Sequence, residues 1–328
     1  MGCQHLTMEE RYTVEKMSQA GCSNIEIARI IGRSKSTVGR EMRRNVSQRG
    51  YRHKAAHHKA LARRFGKSKV KFDDSVRERV EDKIREKWSP EQIEGRFKAE
   101  GVPVVSHQRI YEHVRKDRLD GGDLYKSLRR GSKKRRKRYG AKDGRGKIKG
   151  RVDIDQRPKI VDARERIGDW EGDTIVGGSR KGAVVTMVER KSKYLLMEKV
   201  EKADSETVAN AVVGICKPHE DRFETITYDN GREFAAHATV AAALCVAVFF
   251  AKPYHSWERG LNENTNGLIR QYIPKKAMLS GYSIEDIRTI QNVINNRPRK
   301  TLGFLTPREV FIEGKNKLEK NYGLHLKV

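Results

Sequence analysis

The sequence predicts a multidomain chain: all-α amino-terminal domains followed by an α/β domain built on a mixed five-stranded sheet. Three observations carry this reading. Before residue 118 the apolar residues recur at helical spacing between hydroxyl or amide starts and glycine stops. A short block dense in Lys, Arg and Gly then interrupts the pattern. After Arg166, runs of Val, Ile, Thr and aromatic residues at strand length alternate with helical stretches.

The chain has 328 residues, enough for two or three domains, and carries 70 Lys and Arg against 43 Asp and Glu, a formal charge of +27. Its hydrophobic content of 36% can fill small cores and excludes a wholly disordered chain. The longest apolar stretch, Ala238 to Ala251, is 14 residues long, short of the roughly 18 that a membrane span requires. Met1 to Thr7 lacks the basic start and apolar middle of a signal peptide. The four cysteines, Cys3, Cys22, Cys216 and Cys245, form no CxxC pair; a reducing cytoplasm is expected, without disulfides or a structural zinc. His53, His57 and His58 have no cysteine pair at ligand spacing, so no zinc module is expected there either.

The charge is uneven. Residues 126–152 hold 14 basic residues against Asp143 alone, whereas residues 153–328 hold 28 basic and 24 acidic ones. The dense block, with Lys133, Lys134, Arg135, Arg136, Lys137 and Arg138, cannot bury a core and repels itself, so it reads as an extended linker. A polyphosphate chain would neutralise it with release of counterions; a solvated tether or localisation-type run is the competing reading.

Leu6 to Asn45 reads as three short helices. Thr7 caps the first with Glu10 at the reciprocal position, and Gly21 stops it. The second follows Ser23, with Ile25, Ala28, Ile30 and Ile31 as its apolar face. Gly32 supplies a tight turn, and the third starts near Ser34 with Val38 and Met42 inward. Small, turn and core residues at Ala28, Gly32 and Val38 have helix-turn-helix spacing. The outer face presents Arg33, Lys35, Ser36, Thr37, Arg40, Arg43 and Arg44 for base edges and phosphates. A bundle with a merely solvated basic face is the alternative. A weaker copy follows: Ser89, Pro90 and Gln92 open a helix with Ile93 and Phe97, Gly101 closes it, and Ser106 caps another with Ile110, Tyr111 and Val114 inward. Its polar side has Gln108, Arg109, Arg115 and Lys116. It fits a second DNA reader or a bridging hairpin equally.

The second half reads as strands at 169–176, 183–189 and 194–200, a helix capped by Asp204, a strand at 223–228, a helix at 235–244, a strand at 246–251 and a helix from about Asn262. The order βββαβαβα is that of a ribonuclease H-like domain. In it the first and fourth strands are neighbours, so Asp173 on one and Asp229 at the end of the other converge, and Glu263 joins from the last helix. Carboxylates packed together repel unless cations bind between them, and hard oxygen ligands suit Mg²⁺ or Mn²⁺. Each acid has a plain alternative: Asp229 as the turn residue of Asp-Asn-Gly, Glu263 as a helix-dipole acid, and Asp173 with Asp169 and Glu171 as rivals on the same strand face. Glu263, Asn266 and Arg270 share one helix face; Arg270 and Lys275 are candidate phosphate contacts.

These residues resemble a known family. Trp170-Glu-Gly-Asp173, Tyr228-Asp229-Asn-Gly231, and the run from Trp257 through Glu263 and Arg270 to Lys275 are similar to the three blocks of DDE transposases of the bacterial insertion-sequence thirty family. The 33 residues between Asp229 and Glu263 fit that pattern, and Asn295 to Pro307 resembles the end of integrase-type cores. Tyr228 departs from it, since the family more often has a small residue there.

The resemblance implies a transposase that binds the terminal inverted repeats of an insertion sequence. Asp173, Asp229 and Glu263 would hold two Mg²⁺ (or Mn²⁺) ions. Water would cut the element's end, and the freed 3′-hydroxyl would attack a second phosphodiester with no covalent enzyme intermediate. It further implies circular intermediates, double-stranded DNA as partner (repeats and target), and a homodimer or larger synaptic complex in the bacterial cytoplasm at the nucleoid. The expected organisation is a helix-turn-helix domain at 1–50, a helical region with the second such unit at 51–118, a basic linker at 119–152, the catalytic core at 153–315 and a tail at 316–328. Rival readings are another ribonuclease H-like nuclease, a retroviral-type integrase (disfavoured by the missing zinc module), and a DNA-binding regulator, which would not need the three acids.

Overall fold

Hydroxyl and carboxylate caps mark the helix starts throughout the computed structural model, which describes residues 5–47, 50–65, 70–129, 148–178, 182–252 and 260–316. Its contacts divide into a unit ending at Val70 and a unit beginning at Lys71.

The first unit has α1 (Met8–Gln19), α2 (Asn24–Ile30), α3 (Lys35–Asn45) and α4 (His53–Phe65). Thr7 Oγ1 accepts from the Glu10 N–H at 3.1 Å while the Glu10 carboxylate accepts from the Thr7 N–H. Ser23 and Glu26 repeat the device on α2, each cap being worth about 1 kcal/mol. Gly32 adopts φ +64°, the left-handed turn between α2 and α3. Val14, Ile27, Ala28, Val38, Tyr51 and Ala56 form the core. The apolar face of α2 is Ile27, Ala28 and Ile31; Ile25 and Ile30, expected inward, are 45% and 54% exposed. Seven residues make only two turns, and one stripe of them fills the space between α1 and α3. α4 belongs to this unit: His53 donates its N–H to Glu15 at 2.7 Å and sets Nδ1 2.5 Å from the same carboxylate. Those hydrogen bonds pull the Glu15 carboxyl down to about 2.

The second unit opens with α5 (Asp74–Arg85), α6 (Pro90–Glu100) and α7 (His107–Leu119), packed on Val80, Ile84, Ile93, Phe97, Ile110 and Val114. Tyr111, expected inward, is 45% exposed, because Ile110 and Val114 already fill that face. Leu124, within the expected linker, is buried in this helical core, and Ile148 is buried in the sheet core. Lys133 to Arg138 lie outside the described residues.

A short α8 (Ile160–Ala163) precedes the sheet of β1 (Asp169–Val176), β2 (Ala183–Glu189), β3 (Leu195–Val200), β4 (Thr225–Tyr228) and β5 (Ala247–Phe250). Their order is β3-β2-β1-β4-β5. β1–β2 and β2–β3 are antiparallel, β1–β4 and β4–β5 parallel, giving the expected mixed five-stranded sheet. Strand residues alternate between two covered faces. Trp170, Val185, Met187 and Leu196 pack on one side with Val208 and Val212 of α9 (Ser205–Cys216) and Val240 of α10 (His237–Leu244). Ile175, Val184, Val188 and Leu195 pack on the other with Leu268 of α11 (Gly260–Ile269) and Ile287, Ile290 and Ile294 of α12 (Ile284–Asn295). α13 (Pro307–Phe311) closes the described chain.

Polar bonds tie the helical part of this unit to the sheet part. Arg96 on α6 makes a two-pronged pair with Glu309 on α13 at 2.7 and 2.8 Å. Gln92 donates to the Pro298 carbonyl at 2.6 Å.

Candidate active site

β1 places Asp169, Glu171 and Asp173 on one face, and their surroundings separate them. Asp169 is fully buried between Arg166, at 2.9 and 3.0 Å, and the Thr225 hydroxyl at 2.8 Å. Glu171 is fully buried against Arg190 at 2.6 Å and accepts from the Asn262 N–H at 3.3 Å. Both are thereby committed to holding the fold. Asp173 is only partly buried; Oδ1 accepts from the Thr174 N–H at 2.9 Å and Oδ2 from Asn266 Nδ2 at 2.7 Å.

The parallel register pairs Glu171 with Thr227. The ladder ends there; Asp173 and Asp229 each stand two residues further on, Asp173 still within β1 and Asp229 just past the end of the neighbouring β4. Asp229 Oδ1 accepts from the Gly231 N–H at 2.9 Å, which makes it a turn-forming residue as well as a strand-end acid. The backbone approach here is close: a Cβ on Gly172 would collide with the Tyr228 ring. Tyr228 itself is buried and stacked on Phe234 at 4.2 Å, so the large residue at this position is absorbed by the core on the far face of β1.

α11 is bound across β1 by two asparagines one turn apart. Asn262 Nδ2 donates to the Gly172 carbonyl at 3.3 Å, and Asn266 reaches Asp173. Glu263 lies between them in sequence and is exposed on the first turn. Among the described residues, no three His, Cys, Asp or Glu side chains stand close enough together to hold a metal ion. The structure therefore ties the helix of Glu263 to Asp173 and puts Asp229 just past the end of β4, without gathering the three carboxylates. The donor chemistry nevertheless fits a hard divalent cation: carboxylates stand beside the amide oxygens of Asn262 and Asn266, both buried with no partner among the described residues.

Three further groups frame this edge. Glu233, which the sequence pattern does not single out, accepts from the Thr174 hydroxyl at 2.9 Å, next to Asp173; its place four residues after Asp229 is the one signal that could have found it. Arg270 donates to the Val176 carbonyl at 3.2 Å and keeps a buried Nη1 with no partner among the described residues. Burial lowers its pKa. Lys275 is exposed beyond α11.

On the first unit, Lys35, Ser36, Arg40, Arg43 and Arg44 are exposed along α3, and Thr37 is half-buried. Arg33 is paired with Glu10 at 2.8 Å. No helix among the described residues is long and apolar enough to cross a membrane.

Comparisons with known proteins bear on both units. Residues 3–45 match the family described as a helix-turn-helix domain, and residues 163–256 the family described as an integrase core domain. The transposase for insertion sequence element IS4351 of Bacteroides fragilis is 44% identical over 310 residues, covering 94% of this chain and 95% of its own. Transposase InsI for insertion sequence element IS30A of Escherichia coli (strain K12) is 35% identical over 323 residues, covering 94% of this chain and 84% of its own. The transposase for insertion sequence element IS1086 of Cupriavidus metallidurans is 36% identical over 326 residues, covering 94% and 95%.

Proposed function

Because the chain belongs to the IS30-family insertion-sequence transposases, we propose that it cuts and joins DNA with a DDE carboxylate triad of Asp173, Asp229 and Glu263. One observation supports the reading: β1 and β4 pair in parallel up to Glu171 and Thr227, two residues before Asp173 and Asp229, and Asn266 joins the helix of Glu263 to Asp173. The three acids would hold two Mg²⁺ or Mn²⁺ ions, whose chemistry is activation of the attacking oxygen and stabilisation of the leaving one. Gathering like charges is unfavourable by about 4 kcal/mol per pair at 4 Å and an effective dielectric of 20, so Glu263 joins the aspartates as cations bind.

The chain's own residues supply positioning. Asn266 and the Thr174 N–H fix the Asp173 carboxylate, and the turn at Gly231 fixes that of Asp229. Arg270 and Lys275 contact the phosphates flanking the reacting one. On α3, Lys35, Ser36, Thr37, Arg40, Arg43 and Arg44 address the terminal inverted repeat, with Arg33 setting the start of the helix through Glu10. Lys133, Lys134, Arg135 and Arg136 follow the backbone without reading sequence. Joining two ends requires two or more protomers in one synaptic complex.

The test is incubation of the full chain with duplexes carrying candidate terminal repeats, with and without Mg²⁺. Wild type is expected to cleave and join only with the metal, while Asp229→Asn binds the ends and does neither. Undiminished joining by that variant refutes the assignment.

A further inference from the structure

Away from the three acids, positive charge gathers where α5 and α6 meet the end of α11. Arg297 is 3% exposed. Its Nε donates to Gln92 Oε1 at 2.9 Å and its Nη1 to Gln271 Oε1 at 2.8 Å. Arg299 donates to the Ile294 carbonyl at 3.1 Å. Lys87 donates to the Gln271 carbonyl at 2.6 Å and stands 3.9 Å from the centre of the Tyr272 ring. All these acceptors are neutral, and none of the three cations is in an ion pair among the described residues.

A cation removed from water without a counter-charge is penalised, and carbonyls at a helix end or an aromatic ring under the cation offset only part of that penalty. Burial pushes Arg297 down to about 10 and Arg299 down to about 9, with repulsion from Arg129 adding to both. Lys87 also sits at φ +66°, a left-handed conformation unfavourable for a residue with a side chain. The Tyr272 hydroxyl, which feels Arg297 and Arg299 more than the nearby Glu86, is buried with no partner among the described residues. Strained backbone, unpaired cations and an orphaned donor point to an anion that is part of the working state.

We propose that Lys87, Tyr272, Arg297 and Arg299 form a binding site for a phosphate of the DNA backbone. The site rests on the strand-processing reading above and extends it. Gln271, which anchors both Lys87 and Arg297, lies eight residues past Glu263, about 12 Å at 1.5 Å per helical residue. That is about three to four base-pair rises of 3.4 Å, so one duplex spans the acids and this clamp. The helical region fused to the core thereby sets the path of DNA through the site, because Lys87 and Gln92 come from it.

The experiment compares the full chain with the double variant K87M/R299Q, without Mg²⁺, in two readouts. Inorganic phosphate, against chloride at equal ionic strength, is expected to raise the melting temperature of wild type more than that of the variant. Duplex affinity measured against salt is expected to lose about one unit of log–log slope in the variant, the share of one neutralised phosphate. R299K, which keeps the charge, is expected to behave as wild type in both. Unchanged phosphate response and slope would overturn the site. Loss of the phosphate response with an unchanged slope would overturn its assignment to DNA. Neither readout involves cleavage, so failure of the catalytic reading would appear separately.

Discussion

Asp173 differs from Asp169 and Glu171 only in what faces it. All three share a strand face, and periodicity alone does not rank them. Arg166 and Arg190, which neutralise the first two, come from a preceding loop and from the end of β2, so the distinction is a long-range one. Asn266 is the corresponding partner of Asp173, at 2.7 Å. A hydrogen bond to a charged group is worth about 1.5–3 kcal/mol, and loss of a positioning partner beside a metal site typically lowers activity about 10–100-fold. Asn266→Ala is therefore expected to slow single-turnover strand cleavage by roughly that factor while leaving end binding unchanged. A parallel fall in binding would show that Asn266 serves the fold rather than Asp173. At this scale the strand that carries Asp173 and the Asp-Asn-Gly turn after β4 are legible in the sequence, since strand length and turn residues are local signals. Glu233, Asn262 and the partners of Glu171 are not, because their contacts cross between elements.

Elements follow the sequence where caps and periodicity agree. Thr7, Ser23, Ser34, Ser89, Ser106 and Asp204 all cap helices. The sequence misplaces residues where tertiary packing selects one stripe of a short helix, as at Ile25 and Ile30 of α2. What joins elements is also hidden from it. α6 is fixed to α13 by Arg96 and Glu309, 213 positions apart. Burial raises the Glu309 pKa, but hydrogen bonds from Arg96 and the Thr306 N–H outweigh it and hold the carboxyl at about 2 against an ordinary 4.5. A depressed carboxyl contributes stability above its ordinary pKa and loses it as pH falls through the folded value. Wild type is expected to exceed Glu309→Gln by about 2–3 kcal/mol at neutral pH, with the gap closing between about pH 4.5 and 2. Denaturant melts across that range check it; a gap independent of pH would mean that packing, not charge, holds the junction.

For the whole molecule, charge and catalysis occupy different segments. Of the net charge of +27, residues 126–152 carry 14 basic residues against one acidic, nearly half of the total in 27 positions, beside a core region with nearly balanced charge. Neutralising Lys133 to Arg138 is expected to weaken binding to every duplex alike and to flatten its salt dependence by about 0.9 for each phosphate no longer neutralised. A loss confined to the cognate ends would contradict a sequence-blind role.

Convergence of the third acid is the central claim, and manganese binding reads it without relying on turnover. Mn²⁺ titrated into the full chain with end DNA and followed by electron paramagnetic resonance should show two bound ions in wild type. Glu263→Gln and Asp173→Asn should each lose at least one. If Glu263→Gln keeps both ions and still cleaves, Glu263 is only a surface acid on α11 and the triad does not exist as described.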